Sequence, residues 1–174
     1  IILMAINNLK YEDDELYFDI ENVDVSFVNA IRRSILSDCE TIGFNVDEYL
    51  NSDLKILNNT SSLHNEFILH RVGLIPINIE NIREFYNSKY KFILHKENTT
   101  DSMISVTTED FTVINTETNK EEETIKFFPP NPISGEYILI LKLKSNPNGD
   151  GEKIHIEGNA SRSSGSKNAR YCPA

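Results

Sequence analysis

Apolar residues between Asp24 and Thr41 recur at every fourth position, as Phe27, Ile31, Ile35 and Cys39, with Val28 beside them. This spacing predicts an amphipathic helix over Val25 to Cys39. Asp24 is placed to cap its amino end, and Val23 can pack on Val28 across that cap. Arg32 and Arg33 fall on the opposite, polar side. A helix of this kind buries its apolar stripe against a sheet of its own domain or against another chain. Before it, Glu15 to Glu21 alternates, with Leu16, Phe18 and Ile20 on one face. That predicts a half-buried strand, preceded by a less regular one over Leu3 to Leu9, with YEDDE as the turn. After the helix, Ile42, Phe44 and Val46 alternate again, and Leu54 with Ile56 marks one more short strand.

The stretch NTSSLHNEFILHRVGLIPI, Asn59 to Ile77, changes period. Thr60, Ser61 or Ser62 can cap a helix beginning near Leu63, with Leu63, Phe67 and His70 along one face. Gly73 is placed as the left-handed residue that closes it, Leu74 folds back, and Pro76 forbids continuation. The helix therefore runs into a stiff apolar loop, VGLIPI, with His70 and Arg71 at its edge. That loop suits a docking surface and equally suits a plug for its own core.

Asn78 to Pro132 reads as an insertion: a helical piece at Ile79 to Tyr86, a strand at Tyr90 to His95 and a weaker one at Met103 to Thr107. TETNKEEET is a solvent-facing hairpin end or loop, and Phe127-Phe128-Pro129-Pro130 breaks regular structure. From Glu136 to Lys144 alternation returns, with Tyr137, Leu139, Leu141 and Leu143, or else Ile138 and Ile140, facing in. SNPNGDGE is a turn, and Lys153 to Glu157 is expected to pair back on that strand. The stretch from Asn159 is small and polar and carries Arg162, Lys167 and Arg170.

Composition narrows the functional classes. The 174 residues can bury a substantial core, about 70% of the unfolded surface at this size. A net charge of −10 argues against direct phosphate binding, which relies on clustered Lys and Arg. Two cysteines are too few for a disulfide framework, and a reducing compartment follows. No run approaches a membrane span and no secretion signal is visible. No phosphate-cradling glycine loop, nucleophile motif or interleaved calcium pattern occurs. The four histidines, His64, His70, His95 and His155, are scattered, and His64 and His70 fall on different helix faces.

Three segments carry a family resemblance. DVSFVNAIRRSILSDCETIGF resembles the signature helix and strand of the RNA polymerase assembly subunits. That family joins the bacterial alpha subunit, its archaeal D-type counterpart and the third-largest subunit of eukaryotic RNA polymerase II. EFILHRVGLIP is similar to its second signature, D-E-F-I-x-H-R-L-G-L-I-P, and KNARYCPA to its third, H-A-K-W-x-P-A. With VTTEDF and the ILILKLK strand, these span almost the whole chain and look closer to the eukaryotic and archaeal branch. There are departures. Glu40 stands where a proline usually follows the first helix, and Asn168, Arg170 and Tyr171 replace histidine, lysine and tryptophan in the third motif. The Asn and Ile bias and the shortened insertion would fit a large DNA virus that encodes its own polymerase.

The resemblance implies an α+β fold, an alpha-subunit/D-type dimerisation domain interrupted by a smaller mixed α/β insertion domain. The dimerisation domain would comprise residues 1–46 and 134–174, with its C-terminal part missing, and the insertion 47–133. Phe27, Val28, Ala30, Ile31, Ile35 and Cys39 would pack on the equivalent helix of a smaller polymerase subunit. Arg32, Arg33, His70, Arg71, Gly73, Leu74, Ile75, Pro76, Arg170 and Tyr171 would face the second-largest catalytic subunit. The implied function is non-catalytic: a heterodimeric platform that docks the catalytic subunits of a DNA-directed RNA polymerase and meets DNA only through the complex. Its place would be the nucleus, or the cytoplasm or virion if viral. Relatives carry zinc or an iron–sulfur cluster on insertion cysteines, but here no cysteine lies between Cys39 and Cys172, so no cofactor is expected. The competing expectation is a free-standing interaction or regulatory module on the same fold.

Overall fold

A computed structural model describes residues 4–12, 15–46, 52–79, 81–146, 149 and 151–173. The fold is mixed α+β and mostly sheet. The chain opens with an antiparallel ribbon, β1 (Ala5–Glu12) and β2 (Glu15–Glu21). Ile6 pairs with Ile20 and Tyr11 with Leu16, which spaces the apolar pairs by five residues on one strand and four on the other. The register slip between Asn7 and Lys10, with Asn8 at φ 54°, absorbs the odd residue and keeps the apolar side chains on one face. That face was expected to be half-buried. Instead Ile6, Leu9, Tyr11, Leu16 and Phe18 are all exposed. The strand begins at Ala5, and Leu3 lies outside the described residues.

The helix α1 (Val25–Ser37) follows, with Asp24 as its cap accepting the Ser26 N–H at 2.8 Å. Cys39, expected to be its last residue, lies just beyond it. No residue of α1 is buried. Its far end is held to the body where the Ser166 N–H donates to the Ser37 carbonyl at 2.8 Å.

The remaining elements build the core. They are β3 (Glu40–Gly43), β4 (Leu54–Asn59), α2 (Asn65–Gly73), β5 (Tyr90–Glu97), β6 (Ile104–Thr107), β7 (Phe111–Asn115), β8 (Lys120–Glu122), the short α3 (Thr124–Phe127), β9 (Leu139–Leu143), β10 (Lys153–Asn159) and β11 (Ser161–Ser164). A five-stranded antiparallel sheet runs β4-β10-β5-β7-β8, and β11-β3 and β6-β9 form two-stranded pairs. Lys153 to Glu157 therefore does not return on the ILILKLK strand. β9 pairs with β6, and β10 lies between β4 and β5. Alternation records which side chains face inward, and any antiparallel partner satisfies it.

One buried cluster draws on all of these elements except β8 and β11, from Ile42 and Phe44 through Phe92 and Val113 to Ile140 and Ile156. It spans both expected domain boundaries. Phe127 and Phe128, the break before two prolines, are both buried. Phe127 meets Phe92 edge-on at 5.8 Å, and Phe128 stacks on Phe111 at 5.1 Å. In β9 both alternatives are partly realised, because Ile140, Leu141 and Leu143 are buried while Leu139 and Ile138 are exposed.

Helix α2 departs from expectation at both ends. It starts at Asn65 with His64 as a cap that makes no side-chain bond, so Thr60, Ser61 and Ser62 do not cap it. Asn59 orders the preceding turn instead, accepting from Ser61 N at 2.9 Å and donating to the Leu63 carbonyl at 2.8 Å. Its buried face is Ile68, Leu69, Val72 and Gly73, while Phe67 and His70 point to solvent. Gly73 is not left-handed; Gly135 is the positive-φ glycine among the described residues. Space is what demands glycine at 73, since a Cβ there would run into Arg170 Nη1 and Val46 Cγ2.

Candidate interaction surfaces

The stripe on α1 forms one wall of an open groove of about 420 Å³. Phe27, Ala30, Ile31, Ile35 and Cys39 line it, with Ser34 and Asp38, while Val28 lies outside it. Phe27, Val28 and Ile35 are exposed and Ile31 is half-buried. The Ser26 hydroxyl and then its N–H hold the Asp24 carboxyl below its usual range, so the cap is anionic at neutral pH. On the polar side, Arg32 folds onto Asn29 Oδ1 through Nε at 3.2 Å and Nη2 at 3.0 Å. Arg33 is exposed.

A second surface is the outer face of α2 and the loop after it. Phe67, His70, Arg71 and Leu74 step by three and four residues and are all exposed, so they form one stripe. Phe67 is 65% exposed and Leu74 57%. Arg71 Nη2 donates to the Leu139 carbonyl at 3.0 Å, tying the stripe to β9. The loop divides by residue: Ile75 and Ile77 are buried, whereas Leu74 and Pro76 face out. It plugs the core and presents a surface at once.

The third segment works from beneath. Tyr171 is only 3% exposed, and its hydroxyl lies 2.7 Å from Ser161 Oγ. The Tyr171 carbonyl accepts from Thr41 Oγ1 at 2.8 Å, and a Cβ on Gly43 would sit 3.3 Å from the Tyr171 ring. Arg170 Nη1 donates to the Phe44 carbonyl at 3.2 Å, under Gly73. The ends of all three motif segments thus meet around Phe44, Gly73 and Arg170. What the sequence did not disclose is the exposed face of the β1–β2 ribbon and a contact between two histidines, His95 and His155, far apart in the chain. Only the strand order could have revealed the second.

Among the described residues, no group of three or more His, Cys, Asp or Glu is placed to hold a metal ion. No helix among them is long and apolar enough to cross a membrane.

No family model matches the chain. Curated relatives do. A conjugation stage-specific protein of Tetrahymena thermophila is 29% identical over 192 residues, covering 99% of this chain and 57% of its own length. Subunit 3 of the DNA-directed RNA polymerases II, IV and V of Arabidopsis thaliana is 27% identical over 186 residues, covering 98% and 54%. The DNA-directed RNA polymerase subunit Rpo3 of Methanobrevibacter smithii is 29% identical over 171 residues, covering 98% and 56%. The chain spans about half the length of the curated relatives it matches. Over nearly its whole length the chain is similar to third-subunit-type RNA polymerase subunits of archaea and eukaryotes.

Proposed function

We propose that this chain acts in transcription as a non-catalytic assembly subunit of a DNA-directed RNA polymerase. Helix α1 packs on the equivalent helix of a smaller subunit through Phe27, Val28, Ala30, Ile31, Ile35 and Cys39. The outer stripe of α2, with His70, Arg71, Leu74 and Pro76, docks the second-largest catalytic subunit, and Arg32 and Arg33 extend that contact. Gly73, Ile75, Arg170 and Tyr171 hold the docking loop in shape from inside. Residues 1–46 and 134–174 supply the dimerising part and 47–133 the insertion. DNA is met only through the complex.

The observation that carries this reading is α1 itself, a capped amphipathic helix with an apolar stripe and no buried residue. A helix of one such face gains its stability from what covers that face. The test is affinity purification of the tagged chain from its native cell. A smaller subunit and the catalytic subunits are expected with it, the first lost on Ile31→Asp and the second on Arg71→Glu. Recovery of neither, from a folded parent chain, would refute the reading.

A further inference from the structure

The surfaces above leave the outer face of the five-stranded sheet unused. There the pleat sends Lys153, His155 and Glu157 of β10 outward beside Lys91, His95 and Glu97 of β5, while Ile154, Ile156, Phe92 and Leu94 fill the core. His155 sits directly opposite His95 in the register. Their rings stack with centroids 4.9 Å apart and planes at 29°. An ion pair flanks them on each side: Lys153 with Glu97 at 4.0 Å, and Lys91 with Glu157 at 2.5 Å. The sheet therefore holds two imidazoles together at a surface both can reach from solvent.

Glu157 selects the tautomer of one of them. Its Oε1 lies 2.9 Å from His155 Nε2. Its other oxygen, Oε2, pairs with the Lys91 ammonium at 2.5 Å. A carboxylate can only accept, so the neutral His155 ring carries its hydrogen on Nε2 and leaves the Nδ1 lone pair available. Carboxylates orient metal-ligating imidazoles in this way.

We propose that His95 and His155 form a two-imidazole site for a borderline divalent transition-metal ion such as Ni(II), Cu(II) or Zn(II), with His155 ligating through Nδ1. Imidazole suits these ions, and water fills the remaining positions. His155 keeps its Glu157 contact, and ligation requires the exposed His95 ring to turn out of the stack toward His155 Nδ1, with bonds of about 2.0–2.1 Å for zinc. With two protein ligands the site is open and exchangeable, not a structural centre. Its gain over a lone histidine is that the second imidazole is already at hand once the first has bound. This assignment is independent of the polymerase reading.

Calorimetric titration with Ni(II), on the full chain carrying Cys39→Ser to remove the exposed thiol, tests it. One binding event is expected. His95→Ala and His155→Ala should each weaken it at least tenfold, Glu157→Gln by about 10–100-fold, and His64→Ala and His70→Ala not at all. Folding of each variant is checked by circular dichroism, with His95→Asn and His155→Asn in reserve. Zn(II) should shift the His155 Nδ1 resonance. Unchanged affinity in folded His95 and His155 variants, or a shift at Nε2 instead, would overturn the proposal.

Discussion

Gly73 has an ordinary helical backbone and no room for a methyl group. Helix propensity alone would favour alanine there by about 1 kcal/mol. The collision with Arg170 Nη1 and Val46 Cγ2 acts against that, and overpacking of this kind costs typically about 1–3 kcal/mol. We expect Gly73→Ala to be destabilising in urea unfolding, and Arg170→Met to restore part of the loss in the double variant by vacating the space. Simple additivity of the two changes would show that they do not share a site. Glycine at this position was legible in the sequence, but its reason was not, because the crowding atoms lie far along the chain. Glu157 gives a second residue-scale test. Its folded pKa lies below the ordinary 4.5, so its contribution is present above that value and is lost as pH falls through the depressed one. Replacing it with Gln should flatten the acid-side loss of stability. Parallel pH profiles for parent and variant would remove the Lys91 pairing from the account.

At the scale of elements, local signals and long-range ones part company. Helix α1, β2, β5 and the hairpin end at TETNKEEET follow from period and turn chemistry, which neighbouring residues set. The partner of β10 does not, because Ile154 and Ile156 alternate identically whether they face β9 or β5. The buried face of α2 also escaped, since Leu63 to His70 offers apolar residues on more than one side and the packed sheet chose Ile68, Leu69 and Val72. The motif segments were legible; the stacking of Arg170 beneath Gly73, which joins them, was not. The same contrast predicts unequal stability. A lone two-stranded ribbon is marginal in water, whereas β10 is hydrogen-bonded on both sides and buries Ile154 and Ile156. In native-state hydrogen exchange, amides of β1 and β2 should exchange near the rate of open chain while those of β10 and β5 approach global protection. Equal protection in both would mean that the ribbon is covered.

On the scale of the molecule, apolar surface is concentrated in the first 37 residues. The ribbon face of Ile6, Leu9, Tyr11, Leu16 and Phe18 and the α1 stripe of Phe27, Val28 and Ile35 are exposed, while a separate core serves the rest of the chain. Contiguous apolar patches beyond a few hundred Å² mark interaction sites on soluble proteins. At about 25 cal/mol per Å², covering roughly 300 Å² of such surface is worth several kcal/mol, comparable to the net stability of a domain. The chain alone should therefore bind an environment-sensitive hydrophobic dye and associate with itself as its concentration rises. Ile31→Asp with Ile35→Asp should lower both effects. Because no residue of α1 is buried, the pair should leave the urea midpoint of the core unchanged. Addition of the smaller polymerase subunit should quench the dye signal of the parent chain and not that of the double variant. A monomer that binds no dye, unfolds cooperatively and collapses on Ile31→Asp would instead place the stripe inside the fold, and the assembly reading would lose the surface it depends on.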